Sequence, residues 1–221
     1  MKYKYNGSIM DERMEVFLES FLPDLPPYLE EIACVSEEKH VPIIRQQTRK
    51  LLSFIIKTRN VSSILEIGTA IGYSALCMAY DNDVSIDTIE KVHYRVSEAK
   101  EYFDMYDKKG CINLIEGDAS DILPELVKEN KKYDMVFMDA AKGQYPVFAE
   151  TAYSLLNTGG IMVTDNVMQE GEILESRYAV RRRNRTIHTR MREFLYEYTH
   201  SELWESIILP IGDGVMISVK K

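Results

Sequence analysis

Residues 133–145 read YDMVFMDAAKGQY and residues 159–166 read GGIMVTDN. Each stretch is a short apolar run closed by oxygen-bearing side chains, Asp139 in the first and Asp165 with Asn166 in the second. Near-continuous apolar runs of this length are what strands covered on both faces look like. Three more precede them: SSILEIG (62–68), VSIDTIE (84–90) and CINLIEG (111–117). Helix-compatible stretches, 72–80, 92–106, 120–129 and 146–156, separate the five, and Gly159-Gly160 is expected to break the chain before strand five. Strand and helix in alternation imply an α/β fold, a mostly parallel sheet with helices on both faces. The tail ESIILPIGDGVMISVKK (205–221) has two β-prone runs around Gly212-Asp213-Gly214, which predicts an antiparallel hairpin and brings the sheet to seven strands.

Ahead of strand one, residues 10–22 and 43–56 read as amphipathic helices, with Pro23, Pro26 and Pro27 after the first. The expectation is one domain over 1–221, residues 1–60 forming a helical cap on the sheet edge and 61–221 the core. An apolar share of 45% with 28% charged residues is that of an ordinary globular chain, and no run reaches the roughly 20 apolar residues of a membrane span. The amino-terminal stretch lacks a hydrophobic segment followed by a cleavage site, so a cytoplasmic protein is expected. Cys34, Cys77 and Cys111, odd in number and set in apolar surroundings, are expected to be buried thiols. A net charge of −8 disfavours nucleic acid except at a local basic patch.

Strand ends at the carboxyl edge of a parallel sheet are where ligands bind. Asp139, Asp165 and Asn166 would bring three hard oxygen ligands to that edge, a set that suits Mg2+, Mn2+ or Ca2+ better than zinc. The first strand runs into Glu66-Ile-Gly68-Thr-Ala-Ile-Gly72-Tyr-Ser74, a turn whose glycines admit a ligand close to the backbone. Its G-x-x-x-G spacing differs from the dinucleotide fingerprint. Glu66 would repel phosphate and suit a cationic ligand such as the amino group or sulfonium of S-adenosylmethionine (SAM). Glu90, ending strand two, is positioned to accept from ribose hydroxyls. Gly117-Asp118-Ala119, after strand three, is a tight turn whose Asp118 can take an adenine amino group.

In these motifs the chain resembles the cation-dependent class I O-methyltransferases of the catechol and caffeoyl-CoA type, from His40 to its carboxyl terminus. ILEIGTAIGYSALCMA is similar to that family's first cofactor motif, IEGDA to its adenine-side turn, and DAAKGQY with TDNV to its metal and catalytic segments. HVPI (40–43), the DAAKGQY form and an arginine-rich stretch after TDNV resemble most the branch of bacterial tRNA 5-hydroxyuridine methyltransferases. The resemblance implies a Rossmann-like class I methyltransferase fold and a homodimer. It implies a SAM site including Val41, Glu66, Gly68, Ser74, Glu90, Gly117, Asp118, Ala119 and Asp139, and metal ligation by Asp139, Asp165 and Asn166. Lys142 would act with Asp139 in catalysis, either as a base whose pKa is lowered by the metal or as an ammonium that stabilises the oxyanion.

Between residues 177 and 192 stand seven arginines and no acid: Arg177, Arg181, Arg182, Arg183, Arg185, Arg190 and Arg192. As a helix the segment would gather Val180, Ile187, Met191, Leu195 and Tyr198 into an apolar stripe flanked by arginine. Arginine forks phosphate and stacks on bases, so an RNA backbone is the expected partner for Arg177, Arg181, Arg182, Arg183, Arg185 and Arg192, and the resemblance implies that this RNA is the anticodon stem-loop of a tRNA. A solvated face that pairs with acidic surface elsewhere, or across a dimer, is the plainer alternative. Lys2 and Lys4 with Tyr3 and Tyr5 would touch RNA or fray. The expected function is methylation of the wobble 5-hydroxyuridine. The alternatives are a small-molecule O-methyltransferase acting on catechols and a catalytically silent RNA module, the latter disfavoured by the intact set of Asp139, Lys142, Asp165 and Asn166.

Overall fold

The computed structural model describes residues 12–80 and 82–221. Lys2, Tyr3, Lys4 and Tyr5, and Met10 and Asp11 of the first expected helix, lie outside the described residues. Strands β1 (Ser63–Ile67), β2 (Ser85–Glu90), β3 (Ile112–Glu116), β4 (Tyr133–Met138), β5 (Leu156–Thr164), β6 (Trp204–Leu209) and β7 (Val215–Lys220) form one sheet in the order β3-β2-β1-β4-β5-β7-β6. The first five pair in parallel, and β7 runs antiparallel between β5 and β6. This is the Rossmann-like arrangement with the expected carboxyl-terminal hairpin.

Side chains alternate between the two faces as strand geometry dictates. Ile64, Ile86, Met135, Phe137, Ile161 and Val163 join one apolar cluster. It is shared with helices α2 (Pro27–Glu38), α3 (Gln46–Arg59), α4 (Tyr73–Ala79) and α5 (His93–Tyr106), which follow α1 (Glu12–Glu19) in the chain. Leu65, Ile67, Val136, Met138 and Met162 join the other, with α6 (Ala119–Lys128), α7 (Tyr145–Leu155) and α8 (Arg185–Thr199). No helix among the described residues is long and apolar enough to cross a membrane.

Four sequence expectations need correction. α2 begins with Pro27 in its first turn, where a missing N–H costs nothing, so the proline cluster opens a helix instead of only spacing two others. The amino-terminal helices α2 and α3 share the cluster on a sheet face and pack on α4, not on a sheet edge. Gly159-Gly160 lies inside β5: the register jumps from Tyr133↔Leu156 to Met135↔Ile161, and Gly159 absorbs the irregularity at φ +74°. Cys34 is exposed and Cys111 half-buried, so burial holds for Cys77 alone.

The order reverses between β1 and β4, because β1 crosses over to β2 on one side and β4 to β5 on the other. The crossovers diverge there and leave a crevice at the carboxyl edge.

Candidate active site

The sheet register fixes which residues meet in the crevice. Ile67 pairs with Ile89 and Met138, Met138 with Thr164, and Glu90 with Glu116. The ladder runs one residue further, with the Gly68 N–H donating to Ile89, Asp139 to Ile67, Asp165 to Met138 and Gly117 to Glu90, at 2.9–3.1 Å. Gly68, Asp139 and Asp165 therefore stand side by side. Only glycine fits the first of these places: at φ +103° a Cβ there would lie 2.1 Å from the Asp139 carbonyl oxygen.

A cavity of about 620 Å³ opens over this row. Gly68, Ser74, Glu90, Gly117, Asp118 and Ala119 line one part, and Asp139, Lys142, Asp165 and Asn166 the other. Val41 is not in the wall. Its N–H donates to Ser36, and Pro42, Ile43 and Ile44 line the cavity beside it. Glu66 is not in the wall either. It points into the α2–α5 side of the sheet and is fully buried beneath Ser74, which is in the wall.

The carboxylates differ in how far their hydrogen bonding is satisfied. Glu90 Oε1 accepts from the Lys91 and Val92 N–H groups and Oε2 from Ala70, at 2.8–2.9 Å. A carboxylate has about four acceptor sites, so about one remains, on Oε2. Asp118 caps α6 by accepting the Ser120 N–H, and that bond together with Lys91 at 3.2 Å holds its carboxyl below the usual range. Glu66 takes the Thr88 hydroxyl at 2.5 Å on Oε2, while Oε1 has no hydrogen-bond partner. Burial pushes its carboxyl up to about 7, against the opposing pull of the Ser74 and Thr88 hydroxyls.

At the other end, Asn166 sits at φ +57°, a left-handed conformation that asparagine tolerates, and from there its Nδ2 donates to Asp139 Oδ1 at 3.0 Å. Asp165 Oδ1 accepts the Asn166 N–H. Burial raises the Asp139 carboxyl, and burial together with the Asp139 charge pushes Asp165 up to about 7. Two carboxylates and an amide oxygen are therefore short of positive charge, and their hard donors fit a divalent cation. Among the described residues, no group of three or more His, Cys, Asp and Glu side chains is disposed to hold a metal, so the amide of Asn166 is needed to complete this set.

Asp213 is a site residue that sequence reading treated as a turn. It is buried in the cavity wall, 3.6 Å from Lys142 Nζ. Because β7 is antiparallel, its first residues start at the carboxyl edge, and the N–H groups of Val167 and Met168 bind the carbonyls of Gly214 and Asp213. An acid between two glycines was the available signal. Tyr145, also unassigned, donates its hydroxyl to the Asp165 carbonyl at 3.0 Å and braces that strand end.

The arginine segment is not one helix. Residues 177–181 are turns and loop, Arg182–Asn184 a 3-10 turn, and α8 starts only at Arg185. The buried face of α8 is His188, Met191 and Phe194, whereas Ile187, expected in the apolar stripe, is exposed. None of the seven arginines lines the cavity. Arg185 donates to the carbonyls of Val180 and Tyr178, and Arg192 to that of Ile173, so these two hold the loop. Arg177, Arg181, Arg182, Arg183 and Arg190 are exposed. α8 packs against Lys142–Gln144, which brings the segment next to the Asp139 and Lys142 end of the cavity.

A family model described as O-methyltransferase matches residues 20–221. Catechol O-methyltransferase of Niastella koreensis is 32% identical over 129 residues, 57% of this chain and 58% of that one. A caffeoyl-CoA O-methyltransferase candidate from Staphylococcus aureus, known from a crystal structure, has a TM-score of 0.87 at 30% identity, over 95% of this chain and 100% of its own. The O-methyltransferase TomG from Streptomyces achromogenes, involved in tomaymycin synthesis and solved in complex with SAM, has a TM-score of 0.78 at 26% identity, over 96% of this chain and 100% of its own.

Proposed function

The chain belongs to the O-methyltransferase family, and on that premise we propose that it transfers the methyl group of SAM to a substrate hydroxyl with the aid of a divalent cation, the hydroxyl being that of 5-hydroxyuridine at a tRNA wobble position. The observation that carries this reading is one continuous cavity joining two chemistries: the Glu90 and Asp118 carboxylates, acceptors for a nucleoside, at one end, and an acid, amide and lysine group at the other.

In this reading the turn from Gly68 to Ser74 holds the methionine part of SAM, and the Glu66 carboxyl lies beneath that turn without reaching the ligand. The free acceptor position on Glu90 takes a ribose hydroxyl, and Asp118 takes the adenine amino group. Asp139, Asp165 and Asn166 hold the cation. When bound, such a cation lowers the pKa of the acceptor hydroxyl and fixes its position, as a Lewis acid and a template. Lys142, paired with Asp213, sets a positive charge beside the same oxygen, which stabilises the oxyanion formed when the hydroxyl proton passes to solvent. Methyl transfer is an in-line displacement, so its rate depends on holding that oxygen on the axis of the carbon–sulfur bond. Tyr145 and Gly68 contribute by keeping the strand ends in register.

The RNA substrate is supported by a concentrated positive field in a chain of net charge −8, on the segment that packs beside Lys142–Gln144. The small-molecule reading draws on the likeness to catechol O-methyltransferase. The deciding experiment offers labelled SAM with tRNA carrying 5-hydroxyuridine, and separately with a catechol, each with magnesium and with chelator. Chelator-sensitive labelling of the wobble position above that of the catechol is the expected result. Labelling of catechol alone would overturn the RNA substrate, and labelling that survives chelation would overturn the cation.

A further inference from the structure

Tyr178 is the most exposed large apolar side chain among the described residues, at 85%. An aromatic ring in water on a floppy loop would mean little, but this loop is pinned on several sides. Val180 is buried, the Tyr178 N–H donates to the Ser176 hydroxyl and the Ala179 N–H to the Ser176 carbonyl. Arg185 holds the carbonyls of both Tyr178 and Val180, at 3.2 and 3.1 Å. Asn184 donates to both carboxylate oxygens of Glu172, at 3.0 and 2.8 Å, which ties its 3-10 turn to the 3-10 segment Gln169–Leu174 that follows β5. The backbone around the ring is thus fixed while the ring itself is left bare.

Arg177, Arg181, Arg182 and Arg183 surround this ring in the chain and are exposed, and their guanidinium groups make no hydrogen bond or ion pair among the described residues. A bare aromatic ring on a loop whose sequence neighbours are exposed, unpaired arginines is the composition of a single-stranded nucleic acid platform, where bases stack and phosphates pair.

We propose that Tyr178 is a base-stacking residue for an unpaired nucleotide of the RNA substrate, flanked by phosphate contacts at Arg177, Arg181, Arg182 and Arg183. Arg185 is its positioning residue. This rests on the RNA reading of the function and divides the six arginines expected to bind RNA: four face the substrate and two, Arg185 and Arg192, shape the loop. The ring takes a base outside the reaction cavity, so it governs RNA capture and not the chemical step. Stacking needs a flat π-face, which tryptophan retains and leucine lacks.

The test measures methylation of an anticodon stem-loop RNA carrying 5-hydroxyuridine by the wild-type chain and by Tyr178→Leu, Tyr178→Trp and Arg185→Lys. The expected outcome for Tyr178→Leu is a KM for RNA about tenfold higher with kcat and the KM for SAM unchanged. Tyr178→Trp keeps the wild-type KM. Arg185→Lys, which retains charge but loses the two-carbonyl fork, raises KM like the leucine variant. Replacing Arg182 and Arg183 by alanine lowers the slope of log KM against log salt by about 0.7 for each phosphate that is no longer neutralised. A wild-type chain that methylates no RNA sinks the substrate reading and this inference with it. RNA methylation that is normal in Tyr178→Leu leaves the substrate reading standing and overturns the stacking role alone. Because the side chain is almost wholly in solvent, none of the Tyr178 variants endangers folding.

Discussion

Strand β4 carries an aspartate at each end, and the two live under opposite conditions. Asp134, at the amino edge of the sheet, accepts from the N–H and hydroxyl of Ser62, the N–H and hydroxyl of Ser63 and the amide of Asn157, all between 2.8 and 3.1 Å. Burial alone would raise its carboxyl, yet these donors pull it down to about 2. Asp139, five residues along, has the Asn166 amide on Oδ1 and a second carboxylate as neighbour, and its carboxyl is raised. Glu66, at the same edge on β1, is raised as well. One edge of the sheet has its carboxylate saturated with donors, and it serves as a latch between β1, β4 and β5. The other holds Glu66, Asp139 and Asp165, whose carboxyls burial raises and whose demand for positive charge the protein meets only in part, which sets this edge apart from the latched one.

The sharpest way to break this contrast is to remove the acid at the poor end. Asp139→Ala is expected to lower magnesium-dependent turnover by about 10²–10³-fold while leaving much of the affinity for SAM and without lowering the melting temperature. Turnover that matched the wild type, with chelator as control, would return Asp139 to the structural class. Glu66 sharpens the contrast through pH. Its folded pKa of about 7 stands above its ordinary 4.5, so its contribution to stability is fully present below about pH 4.5 and is lost as pH rises through 7. Glu66→Gln removes that dependence, amounting to about 3 kcal/mol over the interval at 1.36 kcal/mol per unit. Denaturant titrations at pH 5 and pH 8 would detect it, and an equal change in unfolding free energy between the two pH values for wild type and variant would mean that the carboxyl is not buried as described. The smallest effect belongs to the satisfied end. Asp134→Ala leaves kcat unchanged and costs about 2 kcal/mol of stability, since solvent replaces part of what its donors lose. A loss of turnover without a loss of stability in that variant would erase the distinction between the two edges.

Much of this was legible in the chain. Five apolar runs, each closed by a polar residue, prescribe the parallel sheet, and the same closures name Glu90, Asp118, Asp139, Asp165 and Asn166, all of which line the cavity. Helix ends could be read to within a residue or two where a local signal exists, as at Asp118, which caps α6. Residues 177–184 went astray, while the helix from Arg185 onward was as expected: arginine and apolar spacing fit a helix throughout, whereas the competing loop is held by Arg185 and Arg192 reaching carbonyls 5 to 19 residues away in sequence. No short-range pattern encodes such a bond. The same applies to α2, where three prolines mask a helix that one of them starts.

By itself, the sequence determined the α/β class, the strand ends that carry carboxylate and amide side chains and the concentration of arginine after the last parallel strand, because each is written in local periodicity and residue type. The tertiary structure alone decided that Asp213 joins Lys142, that Glu66 lies beneath the cavity wall and not in it, and that Arg185 binds its own loop. Those outcomes depend on β7 entering the sheet antiparallel, on which face of β1 is covered by helices, and on which carbonyls are left unpaired when the loop closes. They are settled by packing between distant parts of the chain, and a buried charge acquires its partner, or goes without one, only when that packing is complete.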